Sequence, residues 1–137
     1  MIQFDYDNLF NQRAFVSEPS ASPVNVKGQN ASSTSILVEW GEVPSADQNG
    51  VILTYNVSYQ SLTQNDFGNK VVRYPANQTE LTGLKKFVNY SITVLASTVK
   101  GSGKTSDPIF VITDQDSKWY FPFFDSVVRS NSDPSRL

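Results

Sequence analysis

Apolar and polar residues alternate in short runs over most of the chain after Val24. The alternation is clearest in two of them, Ile36-x-Val38-x-Trp40 and Tyr90-x-Ile92-x-Val94-x-Ala96. Successive side chains of an extended strand point to opposite sides, so each run places its large apolar groups on one face. Four further runs have the length of a strand and lie at residues 23–27, 55–59, 71–74 and 109–113. No long stretch has a helical period, and the pattern therefore predicts an all-β domain.

The residues between these runs are those that form turns. Asn49-Gly50 and Gly101-Ser102-Gly103 supply residues that tolerate a positive φ. Pro44 and Pro108 stand at strand edges, where the missing proline N–H is not needed by a neighbouring strand. Short strands at regular spacing with such turns between them are typical of a β-sandwich or barrel.

The composition divides the chain into three parts. Residues 1–18 form an N-terminal tail that runs into a linker rich in serine and proline at 17–23. Residues 19–116 contain the alternating runs and are predicted to be one β domain. Residues 117–137 form a C-terminal tail, aromatic at 119–124 and polar afterwards, and its aromatic cluster would be an exposed apolar patch unless something covers it.

Composition and charge exclude several classes of function. Lys and Arg number 11 and Asp and Glu 13, which gives a net charge of −2 in 137 residues, so we expect no nucleic-acid partner. The chain has no Cys and no His, the residues most used as nucleophiles, general bases and metal ligands. We therefore expect neither an enzyme nor a cofactor or metal site. No apolar run reaches the length of about 18 residues that a membrane-spanning helix needs, so no membrane insertion is expected within the chain.

In their order, the motifs resemble the fibronectin type III domain across residues 19–116. The Ile36-x-Val38-x-Trp40 run resembles the second strand of that domain with its buried tryptophan, and residues 49–59 resemble its third strand. Leu81-Thr82-Gly83-Leu84, followed after five residues by Tyr90, resembles the tyrosine corner. The chain is most similar to the repeats of receptor-type tyrosine phosphatases and neural cell-adhesion receptors.

The resemblance implies a seven-stranded antiparallel, immunoglobulin-like β-sandwich of fibronectin type III type, in which the first, second and fifth strands pack on the other four. The hydroxyl of Tyr90 is expected to return to the backbone a few residues upstream. Ser35 and Glu39 are expected to face outward. The expected structural core contains Trp40, Tyr55, Val57, Leu84, Tyr90 and Ile92, and Ile36, Val38, Tyr59, Val94 and Val111 can face the same interior.

Two loops are candidate contact sites for another protein, because loops on a rigid sandwich often carry binding residues. They comprise Asp47, Gln48 and Asn49 in one connector, and Lys100, Gly101, Ser102, Gly103 and Lys104 in the connector between the last two strands. The fold implied by the resemblance places both at the same end. The second loop lacks the Arg-Gly-Asp tripeptide that integrins recognise in some relatives. Its two lysines also suit a sulfated glycosaminoglycan.

The same loop superficially matches a phosphate-binding motif. That motif needs a glycine where this chain has Thr98, and a helix afterwards where this chain has Pro108 and a strand-like run. A flexible hairpin loop is therefore the prediction.

Four sequons for N-linked glycosylation, Asn-x-Ser/Thr, begin at Asn30, Asn56, Asn77 and Asn89. Asn30 and Asn77 are predicted to lie in connectors, and Asn56 and Asn89 on outward faces of their strands. All four asparagines could then carry glycans without disturbing the core.

The sequence thus predicts a non-catalytic, extracellular module that binds proteins or spaces them, within a larger adhesion or receptor protein at the cell surface. Two alternatives stay open. One is a structural module of an intracellular scaffold, and the other is an ancillary domain of a secreted enzyme.

Overall fold

The computed structural model describes residues 16–115. They form eight β-strands and one short 3-10 turn, Ser45–Asp47. The strands are β1 (Val24–Ser32), β2 (Ser35–Gly41), β3 (Thr54–Ser61), β4 (Phe67–Arg73), β5 (Gln78–Leu81), β6 (Asn89–Thr98), β7 (Gly101–Ser102) and β8 (Ile109–Ile112).

The strands form two antiparallel sheets. The smaller sheet has the order β1-β2-β5, and the larger has β4-β3-β6 with β7 and β8 both paired to β6. Between β7 and β8 the chain stays beside β6, because the amides of Gly103 and Ser106 donate to the carbonyls of Ala96 and Val94 at 2.8 and 2.9 Å. These two segments are therefore the interrupted halves of the predicted seventh strand. The predicted all-β sandwich, with its division of strands between the sheets, is confirmed.

The apolar residues that alternate along the sequence are the residues buried between the two sheets. Along β6, every second residue from Tyr90 to Thr98 is buried, and the residues between are only partly buried. All six residues expected in the structural core are at most 4% exposed. The ring centroids of Trp40 and Tyr55 lie 5.3 Å apart at 58°, which joins the two sheets through an aromatic pair.

Tyr59 faces the interior as expected, on the side of β3 that carries Tyr55 and Val57. Its side chain is only partly buried, and its ring meets that of Tyr90 edge-on at 5.9 Å between centroids. A methyl group on Gly68 of β4 would lie 2.5 Å from the Tyr59 hydroxyl oxygen. The absence of a side chain at Gly68 therefore makes room for the tyrosine at the sheet edge.

The ends of two strands differ from the sequence prediction. β4 covers Phe67–Arg73 and not 71–74, because its polar first half pairs with β3 through to the Gln60–Phe67 pair. Ladder pairing there overrides a weak strand propensity. Ser35 was expected to face outward, but it is 5% exposed, and its Oγ lies 2.8 Å from the Oγ of Ser32 across the β1–β2 hairpin.

Strand β1 is an edge strand, as the sequence indicates, and it continues to Ser32. Its register shifts between Val24 and Lys27, where Asn25 has a φ of 51°. Beyond the shift, Gly28 lies so close to the other sheet that a methyl group on it would be 2.8 Å from Cγ2 of Val111. This contact between β1 and β8 closes one side of the sandwich. Most of the two predicted tails, including the aromatic cluster at 119–124, lies outside the described residues.

Candidate binding surfaces

The two candidate loops meet the same short stretch of chain, residues 16–20, here called the lead-in segment. The amides of Ser17 and Ser20 donate to the carbonyls of Asn49 and Asp47 at 2.9 and 2.8 Å. The Asn49 side chain donates to the carbonyl of Glu18 at 3.1 Å, and the Ser20 hydroxyl donates to Oδ1 of Asp47 at 3.1 Å. The loop between β2 and β3 is thus bonded along one side to the chain that enters the domain.

The hairpin between β6 and β7 contacts the lead-in segment from the other direction. Thr98, at the end of β6, donates its hydroxyl to the carbonyl of Ser17 at 2.8 Å. A methyl group on Gly103 would lie 2.6 Å from both Cβ and O of Pro19. Both loops therefore lie at one pole of the sandwich, and the lead-in segment joins them.

The local sequence explains why the first loop can follow the lead-in segment. Asn49 has a φ of 58° and Gly50 a φ of 153°, values that suit an Asn-Gly pair. Gln48 supports the turn from within, because its side-chain amide donates to the carbonyl of Val43 at 2.9 Å. Asp47, Gln48 and Asn49 are all partly buried.

The second candidate loop forms a hairpin, as predicted, and the hairpin is tight. Gly101 and Ser102 pair with Thr98 and Ser97 as β7, which leaves Val99 and Lys100 at the tip. Glycine suits the position of Gly101, whose φ is 145°. No helix follows, so the phosphate-loop geometry is absent from this part of the described chain. Lys100 and Lys104 are both exposed.

We expect loss of the side-chain contacts to loosen the lead-in segment without unfolding the domain. Asn49→Ala combined with Thr98→Val removes two side-chain hydrogen bonds to its backbone, each worth about 0.5–1.5 kcal/mol. The amide protons of Ser17 and Ser20 should then exchange faster, while those of β3 and β6 keep their protection. Hydrogen exchange followed by NMR measures both, with Lys104→Ala as control. Unchanged exchange at Ser17 and Ser20 would contradict this account of the lead-in segment.

The tyrosine corner is present, with a partner that the sequence did not reveal. The amide of Lys85, five residues upstream, donates to the Tyr90 hydroxyl oxygen at 2.9 Å. The hydroxyl in turn donates to a carboxylate oxygen of Asp66, in the turn between β3 and β4. Burial, followed by this bond to the carboxylate, raises the pKa of Tyr90 to about 12. No spacing rule relates Asp66 to Tyr90, since only the β3–β4 and β3–β6 pairings bring them together.

The four sequons occupy different settings. Asn77 lies in the exposed connector before β5, but Asn30 lies in strand β1 and not in a connector. Pairing with Ile36 holds Asn30 in the strand, and its side-chain amide donates to Oδ1 of Asp114 at 2.8 Å. Asn56 and Asn89 lie on β3 and β6, partly buried, each with its Oδ1 covered and without a hydrogen-bond partner among the described residues.

A groove of about 700 Å³ lies on the outer face of the larger sheet. Its lining residues come from β3, β4 and β6, and they are Ser58, Tyr59, Gln60, Phe67, Gly68, Asn69, Ser91 and Thr93. Phe67, 69% exposed, stands at one side. Gln60 pairs with Phe67 on one side and with Ser91 on the other, and Ser91 pairs with Phe110, which is also exposed. Sequence reasoning missed this groove: only Ser58, Ser91 and Thr93 stood at outward positions of predicted strands, and the β4 residues that complete it lay outside the predicted run at 71–74.

Within residues 16–115, no group of three or more carboxylate, histidine or cysteine side chains could hold a metal ion. In the same range, no helix has the length and apolar character needed to cross a bilayer.

The fold, the tyrosine corner and the tryptophan between the sheets define an immunoglobulin-like sandwich of a specific kind. The model of the fibronectin type III domain matches residues 19–112. The chain belongs to the fibronectin type III family.

Among curated proteins, the chain is 41% identical over 113 residues to mouse "Protein sidekick-1", a match that covers 81% of this chain and 5% of that protein. It is 36% identical over 107 residues to human "Receptor-type tyrosine-protein phosphatase F", which covers 76% of this chain and 6% of that protein. The chain therefore spans only about one-twentieth of the length of these relatives.

Solved structures show the same fold. The FN5 domain of Drosophila Lar is 32% identical with a TM-score of 0.59, and the match covers 71% of this chain and 98% of that one. The FN1–FN3 domains of chicken CNTN1 are 26% identical with a TM-score of 0.65, over 72% of this chain and 33% of that one. The similarity to receptor phosphatases expected from the sequence is confirmed.

Proposed function

We propose that the chain contains a non-catalytic spacer and protein-binding module from the extracellular part of a larger adhesion or receptor protein. Its fibronectin type III fold and its similarity to sidekick and receptor phosphatase proteins support this role. The module comprises residues 19–116, flanked by an N-terminal tail or linker at 1–18 and an aromatic and polar C-terminal tail at 117–137.

The observation that carries the proposal is the bonded lead-in segment. Five hydrogen bonds join Ser17, Glu18 and Ser20 to the loop between β2 and β3, two of them from the Ser20 hydroxyl, and Thr98 adds a sixth. Residues 16–20 are therefore held against the sandwich at one pole. A spacer needs this property, because the distance between neighbouring modules is set only if the connection is stiff.

Protein contacts are assigned to the same pole. Val51, which follows the first loop, and Val99, next to Lys100 in the second, are 73% and 76% exposed, and Lys100 and Lys104 are exposed as well. Apolar side chains bordered by cations suit a modest contact with an acidic protein surface. The two lysines are also the residues through which a sulfated glycosaminoglycan would bind.

The state of the four sequons tests the extracellular location. When the chain is secreted from mammalian cells, we expect glycans on Asn30, Asn56, Asn77 and Asn89, and a mobility shift after enzymatic deglycosylation. Peptide mapping by mass spectrometry identifies each modified asparagine, and the matched Asn→Gln variants serve as controls. Secreted protein with all four asparagines unmodified would favour an intracellular scaffold instead.

A further inference from the structure

We propose that the groove on the outer face of the larger sheet is the resting site of a glycan attached to Asn56 of the same chain. The inference rests on the proposed extracellular function, since it needs that asparagine to be modified. It goes beyond that function by assigning a ligand to a surface that the sequence analysis did not recognise.

The lining of the groove favours a neutral, hydroxyl-rich ligand. None of its eight lining residues carries a side-chain charge at neutral pH, so neither phosphate nor an ionic peptide gains from it. Ser58, Gln60, Asn69 and Thr93 offer hydroxyl and amide groups that both donate and accept hydrogen bonds, as sugar hydroxyls do. The exposed ring of Phe67 offers a flat apolar surface for the C–H face of a pyranose.

A glycan attached to Asn56 begins close enough to reach the groove. Asn56 and Ser58 lie two residues apart on β3, so they point to the same face about 7 Å apart, and Gln60 lies about 7 Å further along. A short oligosaccharide attached to Asn56 can therefore reach across the groove to the level of Phe67. Ser58, the hydroxyl residue of that sequon, is itself part of the lining.

The neighbours of Asn56 keep a glycan on the sheet. β3 is flanked by β4 and β6, and Asn56 pairs with Val71 on one side and Leu95 on the other. Val71 is 61% exposed, so a sugar there covers apolar surface as it extends.

Asn89 provides the matched comparison. It lies on the same outer face, two residues before Ser91, which also lines the groove. However, Asn89 is the first residue of β6 and pairs with Ile112, the last residue of β8. A glycan at Asn89 can leave over the end of the sheet, whereas one at Asn56 has a paired strand on both sides.

The test compares how fast a peptide-N-glycosidase removes each glycan from the folded 137-residue chain secreted by mammalian cells. We expect removal from Asn56 to be about tenfold slower than removal from Asn77, because the linkage at Asn56 is less exposed. This rate ratio corresponds to about 1.4 kcal/mol in the free energy of activation. Phe67→Ala should abolish this protection. Phe87→Ala is the control, because Phe87 is similarly exposed at 65% but does not line the groove.

Each outcome decides the proposal. The proposal is supported if removal at Asn56 is slow, if Phe67→Ala raises its rate to that at Asn77, and if Asn89→Gln does not change the rate. Equal rates at Asn56 and Asn77 overturn it and leave the extracellular function intact. An unmodified Asn56 beside modified Asn30 or Asn77 also overturns it, whereas four unmodified sites contradict the proposed function as well. Association of the chain into dimers that Phe67→Ala disrupts would assign the groove to a second copy instead.

Discussion

Replacing Trp40 with alanine should lower the free energy of unfolding by about 3–5 kcal/mol, the range for removing a large buried aromatic side chain. Trp40 is 3% exposed and contacts Tyr55 of the opposite sheet, so the loss leaves a cavity between the sheets. Domains of this size are stable by only about 5–15 kcal/mol, and a large fraction of that stability would disappear. Urea denaturation followed by circular dichroism measures the change.

Two further variants serve as comparisons for Trp40→Ala. Trp40→Phe should cost less than Trp40→Ala, because it keeps a ring against Tyr55 and removes an Nε1–H that has no partner among the described residues. Val99→Ala, at a position 76% exposed, should change stability by no more than about 0.5 kcal/mol. A loss of less than about 1 kcal/mol for Trp40→Ala would show that the two sheets do not depend on the indole.

Replacing Tyr90 with phenylalanine should cost about 1.5–3 kcal/mol, because its hydroxyl bonds a charged partner. The change removes the bond to the Asp66 carboxylate and leaves the amide of Lys85 without its acceptor. Denaturation at neutral pH measures this cost. Tyr74→Phe is the matched control, since that hydroxyl donates to Glu42 at 3.3 Å on the surface and its loss should cost at most about 0.5 kcal/mol.

The stability of the domain at alkaline pH is an independent test of the tyrosine corner. Burial is the first cause that raises the pKa of both Tyr90 and Tyr55 to about 12, from 10.0 in an exposed tyrosine. The stability linked to these protonated phenols is complete below pH 10 and is lost as the pH rises through about 12. Tyr90→Phe should therefore flatten the decline between pH 10 and 12. An unchanged pH profile in that variant would show that Tyr90 titrates as an exposed phenol.

The sandwich could be predicted from the sequence because the pattern of buried residues is visible within each strand. Alternation at 36–40 and 90–96 fixes which side of each strand is buried, and a strand with one buried face has little freedom of register. The same rule fails where burial comes from a neighbour and not from alternation. Ser35 follows no apolar period, and yet the β1–β2 hairpin buries it.

The candidate surfaces were harder to predict because they depend on pairing. The fold implied by the resemblance placed the two loops at one pole, but nothing in the serine- and proline-rich stretch shows that Ser17 and Ser20 bond to Asn49 and Asp47. Asp66 likewise acts on Tyr90 across 24 residues of chain. The groove depends on the register of three strands at once, which no single run of residues determines.

The contacts of Ser17 and Glu18 bear on how this domain should be excised for study. The family match begins at residue 19, so a fragment cut at that boundary retains Asn49 and Thr98 but removes the carbonyls that accept their hydrogen bonds. Such a fragment would expose edges that the longer chain covers, and ligands selected against it could recognise an artificial surface. Expression starting upstream of Val16 preserves the native pole.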